Sequence, residues 1–130
     1  RLEIKNINNH KIIDNSFNSN SVGFKNNIDY LSLSTDFKIV ITPGIVELKK
    51  ESKQIHDELA KYLIDKVDFV YLIKNKNTYY MEKELKRQNF TNFKMVDSFK
   101  EAYIISINKK EPSTILIEND LTDYYFNGGI

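Results

Sequence analysis

The sequence predicts an α/β domain in which about six mostly parallel strands form one sheet with helices on both faces. Three observations lead to this fold class. Short apolar runs alternate with helical patterns along nearly the whole chain. The runs FKIVI and DFVYLI are almost continuously apolar, as expected of strands that are buried on both faces. The length of 130 residues is that of one domain.

The apolar runs predict six strands. In chain order they are residues 2–4, 11–14, 37–41, 68–73, 93–96 and 114–117. The first two are separated only by a polar turn at residues 6–9, so we expect a hairpin-like pair. Helical patterns separate all the later strands. Because such crossovers join parallel strands, the rest of the sheet is predicted to be parallel.

Four helices are predicted between these strands. They are residues 22–33, 51–66, 78–88 and a fourth that begins at Ser98. Apolar side chains recur at helical spacing in the first three: Phe24, Ile28 and Leu31, then Ile55, Leu59 and Leu63, then Met81 and Leu85. Asn20 or Ser21 is suited to cap the first helix. Ser98 with Glu101 matches a capping box at the fourth.

Composition and charge exclude several classes of protein. The 19 basic and 18 acidic residues are mixed along the chain, which argues against a nucleic-acid-binding surface. The chain has no cysteine, so disulfides and thiolate metal sites are excluded. No apolar run approaches the ~20 residues of a membrane span, and no signal peptide is visible. These observations predict a cytoplasmic protein without a membrane span.

Polar residues follow the predicted parallel strands at their C-terminal ends. They are Asp14 and Asn15, Thr42-Pro43-Gly44, Lys74 and Asn75, Asp97 and Ser98, and Glu118-Asn119-Asp120. In a parallel sheet these ends share one edge, which is where open α/β domains bind ligands. The same residue types also cap helices and form turns. From the residues alone both interpretations stay open; Asp14, for example, suits a sugar hydroxyl or a helix cap.

The chain carries no strong catalytic motif. It has neither a phosphate-binding loop nor a dinucleotide-binding fingerprint, and it holds only four glycines. We therefore expect no catalytic residue in this domain alone. His10 and His56 have no partner at metal-ligand spacing, so no metal site is predicted. We expect His10 to be solvated in a polar turn and His56 to pack at the boundary of the core.

Five ordered segments resemble the C-terminal domain of Mur ligases, most closely the MurF type, the UDP-N-acetylmuramoyl-tripeptide–D-alanyl-D-alanine ligases. The segments are Arg1-Leu2-Glu3, residues 14–21 beside Asp-Asp-Ser-Tyr-Asn-Ala-Asn-Pro, residues 42–48 beside Thr-Pro-Gly-Met-Val-Glu-Leu, residues 68–73 beside Asp-Tyr-Val-Ile-Leu-Val, and residues 117–123 beside Leu-Glu-Asn-Asp-Leu-Pro-Asp. His56 also falls where those sequences usually carry a histidine. The resemblance covers nearly the whole chain, and five segments in order are more specific than any one of them.

The resemblance implies that residues 1–130 form one Rossmann-like domain of a three-domain, ATP-dependent ligase. Such an enzyme activates a carboxylate as an acyl phosphate, which an amine then attacks to form an amide. It implies partners as well: the N-terminal and central domains of the same chain, UDP-MurNAc-peptide and D-Ala-D-Ala. ATP and Mg²⁺ would be bound mainly by the central domain. The isolated domain is predicted to be inactive.

The resemblance also implies site residues. The implied nucleotide-binding residues are Arg1, Asp14, Asn15 and Asn18, and the implied substrate-binding residues are Asn18, Asn20, Asn119 and Asp120. Arg1 matches an arginine that reaches the nucleotide phosphates when the domains close. One position departs from the pattern, because Asn15 stands where the motif has the second acid of its pair. Asn15 can still accept a hydrogen bond, but it carries no charge.

Other functions stay open. The chain could belong to a Mur ligase for another amino acid or to a folylpolyglutamate-type ligase, although the Thr-Pro-Gly and Glu-Asn-Asp-Leu segments favour the MurF type. It could be a catalytically dead Mur-like binding module, which Asn15 favours. A flavodoxin-like or receiver-like binding domain is the simplest alternative. Residues 123–130 are expected to be a frayed terminus or the start of a removed segment, and the start at Arg1 suggests a piece of a longer chain.

Overall fold

The computed structural model describes residues 3–15, 20–45, 48 and 50–118. Its elements are, in chain order, β1 (Glu3–Ile7), β2 (His10–Asn15), α1 (Ser21–Ser32), β3 (Phe37–Thr42), α2 (Ser52–Ile64), β4 (Phe69–Ile73), α3 (Lys76–Arg87), β5 (Phe93–Val96), α4 (Phe99–Ile107) and β6 (Ser113–Glu118). The strands form one sheet in the order β1-β2-β6-β3-β4-β5. β1 is antiparallel to β2, and every other pair is parallel. The predicted elements and the mostly parallel sheet are confirmed.

Helices cover both faces of the sheet, so the domain has three layers. α1, α2 and α3 pack on one face, where Phe24, Leu59 and Met81 join a single hydrophobic cluster. α4 packs on the other face, where Phe99 and Tyr103 join a second cluster. α4 lies alone because β5 connects back to β6, which is inserted between β2 and β3. A right-handed crossover in this reverse direction places its helix on the opposite face.

Neighbouring residues of a strand contribute to different clusters. Ile12 belongs to the cluster beneath α4, whereas Ile13 belongs to the cluster beneath α1 to α3. On β6, Leu116 and Ile117 divide in the same way. This alternation follows from the pleat of a strand, which directs successive side chains to opposite faces. It also decides to which face each polar residue at the strand ends belongs.

Polar caps fix the starts of three helices. The Asn20 side chain accepts a hydrogen bond from the backbone N–H of Gly23 at 2.7 Å and caps α1. Asn75 forms a capping box with Thr78, so α3 begins at Lys76 and not at the predicted residue 78. Ser98 accepts from the Glu101 N–H at 3.2 Å and caps α4. The caps predicted for the first and fourth helices are therefore confirmed, but the capping box at the fourth is not complete, because Glu101 Oε1 accepts from the Asp97 N–H at 3.1 Å and not from Ser98.

His10 does not lie in a solvated turn, and that prediction is wrong. The hairpin turn comprises only Asn8 and Asn9, so His10 is the first residue of β2 and is buried. Its Nδ1 is 2.6 Å from Ser113 Oγ, and its Nε2 is 2.9 Å from the carbonyl oxygen of Lys109. Because a carbonyl only accepts, Nε2 carries the proton in this arrangement. The sequence pattern predicted a longer turn, at residues 6–9. It did not indicate a two-residue turn with Asn8 at φ 57°.

None of the helices in the described ranges is long and apolar enough to cross a membrane.

Candidate functional site

The C-terminal ends of five parallel strands form one polar edge of the sheet. Across the sheet the strands end, in order, at Asn15, Glu118, Thr42, Ile73 and Val96. The edge predicted from the sequence is therefore present in the fold, as far as its residues are described. Its members differ in their surroundings: β2, β6 and β3 end in buried polar groups, whereas the loop after β5 is exposed. The edge thus has a buried part and an open part.

The buried part contains a cluster of two amides and one acid, Asn15, Asn27 and Glu118. Asn15 and Glu118 are the last register pair of β2 and β6. The amide Nδ2 of Asn15 donates to Glu118 Oε1 at 2.7 Å, and the Nδ2 of Asn27 on α1 donates to Glu118 Oε2 at 3.0 Å. Asn15 is 1% exposed and Glu118 is 0% exposed. This acid–amide cluster joins two strand ends to a helix beneath the surface.

Burial strongly affects the ionisation of Glu118. Loss of solvent around the carboxyl raises its pKa to about 8, against the smaller opposing effect of the hydrogen bonds from Asn27 and Asn15. A carboxyl in this state holds its proton at neutral pH and releases it in mildly alkaline solution. The charge of Glu118 therefore changes with pH close to neutrality, where an ordinary glutamate is fully ionised.

Asp14 and Asn15 belong to opposite faces of the sheet. The side chain of Asn15 belongs to the acid–amide cluster on the α1 side of the sheet. The side chain of Asp14 lies on the opposite side, towards α4, because successive residues of a strand alternate between the two faces. There its charge reaches Tyr103, whose pKa is raised first by burial and second by Asp14. Asp14 is itself nearly fully buried. The two residues that the motif places side by side therefore cannot present their side chains to one ligand from the same face.

The turn after β3 is held by a buried histidine. The backbone N–H of Ile45 donates to His56 Nε2 at 2.9 Å, and His56 Nδ1 donates to the carbonyl oxygen of Ser52 at 2.7 Å. Gly44 has φ +78°, and a Cβ at this position would lie 2.8 Å from His56 Nε2. The expected packing of His56 at the core is confirmed, since its side chain is fully buried. Burial lowers the pKa of His56, although the Ser52 carbonyl opposes this effect.

Further hydrogen bonds connect the turn after β3 to the loop after β4. Ser52 Oγ donates to Asn77 Oδ1 at 2.7 Å, and Asn75 Nδ2 donates to the Pro43 carbonyl at 2.8 Å. Asn77 and Ser52 are both buried. Neither of these two residues was predicted, because a polar residue in a helical pattern does not reveal whether it faces solvent or a neighbouring turn. The turn is thus fixed from two sides.

The open part of the edge lies beyond β4 and β5. Lys74 and Asp97 form an exposed ion pair at 3.3 Å. Beside it is a shallow groove of about 530 Å³ that is lined by Lys74, Asn75, Tyr79, Glu82 and Met95. Exposed ion pairs contribute little to stability. This part of the edge is accessible, and its groove is lined by none of Asp14, Asn15 and Asn20, the predicted site residues that the structure describes.

Three of the predicted site residues lie within the described part of the chain. Asp14 and Asn15 end β2, and Asn20 caps α1. The other predicted site residues, Arg1, Asn18, Asn119 and Asp120, lie outside the described residues. Asn27 was not predicted as a site residue. It is one of several polar residues of α1, and the sequence does not distinguish it from the others. Among the described residues no three His, Cys, Asp or Glu side chains come together as possible metal ligands.

Solved structures share this fold. A MurF ligase from Thermotoga maritima, solved in complex with ADP, matches 90% of this chain with a TM-score of 0.73 and 19% identity. A MurF from Acinetobacter baumannii matches 92% with a TM-score of 0.76 and 20% identity. A domain from Haemophilus ducreyi, named as a UDP-N-acetylmuramate:L-alanyl-gamma-D-glutamyl-meso-diaminopimelate ligase, matches 92% with a TM-score of 0.61 and 23% identity.

These matches confirm the resemblance at the level of the fold, which is that of a Mur ligase C-terminal domain. The chain spans 26% and 27% of the lengths of the two MurF ligases, and 88% of the Haemophilus ducreyi domain. No family model matches the chain, and no curated protein matches it.

Proposed function

We propose that this chain is the C-terminal domain of an ATP-dependent amide-bond ligase of peptidoglycan precursor synthesis. The ligase adds D-Ala-D-Ala to UDP-MurNAc-tripeptide through an acyl phosphate. The observation that carries the proposal is the fold shared with MurF ligases over 90% of the chain or more. Three of the sequence segments described above, residues 14–21, 42–48 and 117–123, begin at the C-terminal ends of β2, β3 and β6 and so also support the proposal.

In this proposal the domain binds the incoming dipeptide and closes over the nucleotide. Closure would exclude water from a reactive acyl phosphate and complete the site only when the substrates are present. Arg1 would reach the nucleotide phosphates with its permanently charged guanidinium. Asn18, Asn20, Asn119 and Asp120 would contact the dipeptide. ATP and Mg²⁺ would be bound mainly by the central domain, and the described residues of this chain offer no clustered carboxylates for a metal.

Asp14 and Asn15 take different parts in this proposal. Asp14 retains a carboxylate and is the better candidate for a nucleotide hydroxyl. Asn15 donates one amide N–H to Glu118 and keeps its carbonyl oxygen and its second N–H for a ligand. Both side chains are nearly fully buried, so a ligand needs the edge to rearrange before it reaches them.

Two alternatives have support of their own. The first is a ligase of the same family for another acceptor, such as another Mur ligase or a folylpolyglutamate-type ligase. The match to the Haemophilus ducreyi domain, whose name gives a different substrate, supports it. The second is a catalytically inactive Mur-like binding module. The buried Asn15 in place of an acid supports that alternative.

Phosphate release from ATP tests the proposal. The complete gene product is incubated with UDP-MurNAc-tripeptide, with or without D-Ala-D-Ala, and the ligated product is identified by mass spectrometry. We expect release that depends on the dipeptide. Release with another amino acid or with a folate substrate would favour the first alternative, and a folded protein without any release would favour the second. The 130-residue chain alone is expected to release no phosphate, because it lacks a phosphate-binding loop.

A further inference from the structure

We propose that Glu118 is a positioning residue of the candidate site, which fixes Asn15 and Asn27 and thereby holds the ends of β2 and β6 against α1. This inference rests on the proposed function, since the site it positions is the nucleotide site of that function. It assigns a role to an acid that the motif comparison did not place in the site. It also explains why position 15 can be an asparagine.

The hydrogen bonds to Glu118 orient the side-chain amides of Asn15 and Asn27. Glu118 offers one oxygen to each amide, at 2.7 Å from Asn15 Nδ2 and 3.0 Å from Asn27 Nδ2. A side-chain amide has its donor and its acceptor on opposite sides of one carbon. When the NH₂ group faces Glu118, the carbonyl oxygen therefore faces away from it. Glu118 in this way sets the orientation of both amides, and Asn15 keeps its carbonyl oxygen and its second N–H for other groups.

The acid–amide cluster lies at the ends of β2 and β6. Asn15 and Glu118 are directly opposite one another on neighbouring strands, and each is the last residue of its strand. The segments that supply Asn18 and Asn20, and Asn119 and Asp120, start at these two residues. A bond between the two strand ends therefore fixes the starting points of both segments. The bond to Asn27 adds α1 to the same unit.

The amide of Asn15 and the carboxyl of Glu118 are complementary as donor and acceptor. The acid expected at position 15 would place two carboxyls about one hydrogen bond apart, and such a pair cannot ionise at both groups. An amide at position 15 donates to Glu118 Oε1 whether or not that carboxyl holds its proton. The acid of this pair is thus on β6 and its amide partner on β2. If the acid and the amide are exchanged, the hydrogen bond should still form, with residue 118 as the donor and residue 15 as the acceptor.

A variant cycle in the complete gene product tests this role. In Glu118→Gln, the new NH₂ group must face the NH₂ group of Asn15 or Asn27, so one amide loses its orientation. We expect KM for ATP to rise by roughly fivefold, as for the loss of one hydrogen bond between neutral groups, while kcat changes less. When Asn15→Asp is combined with Glu118→Gln, the new amide at position 118 can donate to the new carboxylate at position 15 and accept from Asn27. This double variant should recover most of the lost affinity for ATP.

Glu84→Gln is the matched control. Glu84 is also a buried glutamate that accepts hydrogen bonds, from Arg87 and Gln88, but it lies on α3 away from the polar edge. We expect its KM for ATP to equal that of the unmodified protein. Circular dichroism and thermal unfolding show whether each variant is folded.

The outcomes separate the two proposals. An unchanged KM in Glu118→Gln, or a double variant no better than Glu118→Gln, would overturn the positioning role while leaving the ligase function in place. An unmodified protein without ligase turnover would instead overturn the proposed function, and the positioning role would fall with it. Recovery in the double variant, with the control unchanged, would establish the role of Glu118.

Discussion

The imidazole Nε2 of His56 accepts the backbone N–H of Ile45 at 2.9 Å, and so a helix side chain closes the turn that follows the central strand β3. The opposite nitrogen of the ring donates to the Ser52 carbonyl at 2.7 Å. One nitrogen must therefore accept while the other donates, which requires a neutral ring in one tautomer. The turn at the centre of the polar edge consequently depends on the protonation state of a single buried side chain.

Acid should destabilise the domain through His56. Burial lowers the pKa of His56 in the folded chain, whereas the unfolded chain has the ordinary value near 6.5. The unfolded chain then binds more protons below this value, so the stabilising contribution is present above pH ~6.5 and is lost as the pH falls. Urea unfolding from pH 8 to pH 5 measures this loss. In His56→Gln, which cannot titrate, the loss over this range should be smaller; an identical loss would contradict the assignment.

Alanine at position 44 should destabilise the domain by about 2–3 kcal/mol, because it combines a left-handed backbone with a steric clash. Gly44 has φ +78°, and its Cβ would lie 2.8 Å from His56 Nε2. Chemical denaturation of Gly44→Ala measures the cost. Gly23→Ala is the matched control, since Gly23 lies within α1 and its substitution should be neutral or stabilising by up to about 1 kcal/mol. Equal effects at the two positions would refute this explanation.

Alkaline pH should destabilise the domain through Glu118. Its pKa is raised to about 8 in the folded chain, so the folded chain holds a proton that the unfolded chain releases near pH 4.5. The contribution of Glu118 is fully present below pH 4.5 and is lost as the pH rises through about 8. The free energy of unfolding should therefore fall from pH 6 to pH 9 in the unmodified chain and change less in Glu118→Gln.

Glu84→Gln is the control for the unfolding measurements between pH 6 and pH 9. The hydrogen bonds from Arg87 and then Gln88 lower the pKa of Glu84, so its contribution is present at neutral pH and is lost only in acid. Between pH 6 and pH 9 this variant should retain the slope of the unmodified chain. If Glu84→Gln and Glu118→Gln flatten the slope equally, the alkaline loss does not come from Glu118.

Removal of the Asn20 side chain should cost about 1 kcal/mol of stability, because Asn20 caps α1 through the Gly23 N–H. Asn20→Asp keeps the acceptor oxygen and should retain the stability that Asn20→Ala loses. Thermal unfolding of the two variants measures the cap. Ligase kinetics of Asn20→Asp in the complete gene product then address the second role, since binding of a substrate through the amide NH₂ would be lost although the cap remains.

The alternation of strands and helices was determined by the sequence. Apolar runs such as the one in β3, and the helical spacing of Phe24, Ile28 and Leu31, are local patterns that follow from the geometry of strands and helices. The polar residues at the strand ends could also be predicted, because a parallel sheet brings its C-terminal ends to one edge. The caps of α1 and α4 were visible for the same reason, since a cap acts within three residues.

Only the tertiary structure decided which of these residues meet. Asn15 and Glu118 lie 103 positions apart in the sequence, yet their side chains are 2.7 Å apart because β6 is inserted beside β2. The same pairing buried His10 against Ser113, where the local pattern had predicted a solvated turn. Nothing local specifies strand order, because it depends on how all the helices share the two faces of the sheet. A sequence pattern thus determines where polar groups end a strand, and packing determines their partners, their burial and their charge.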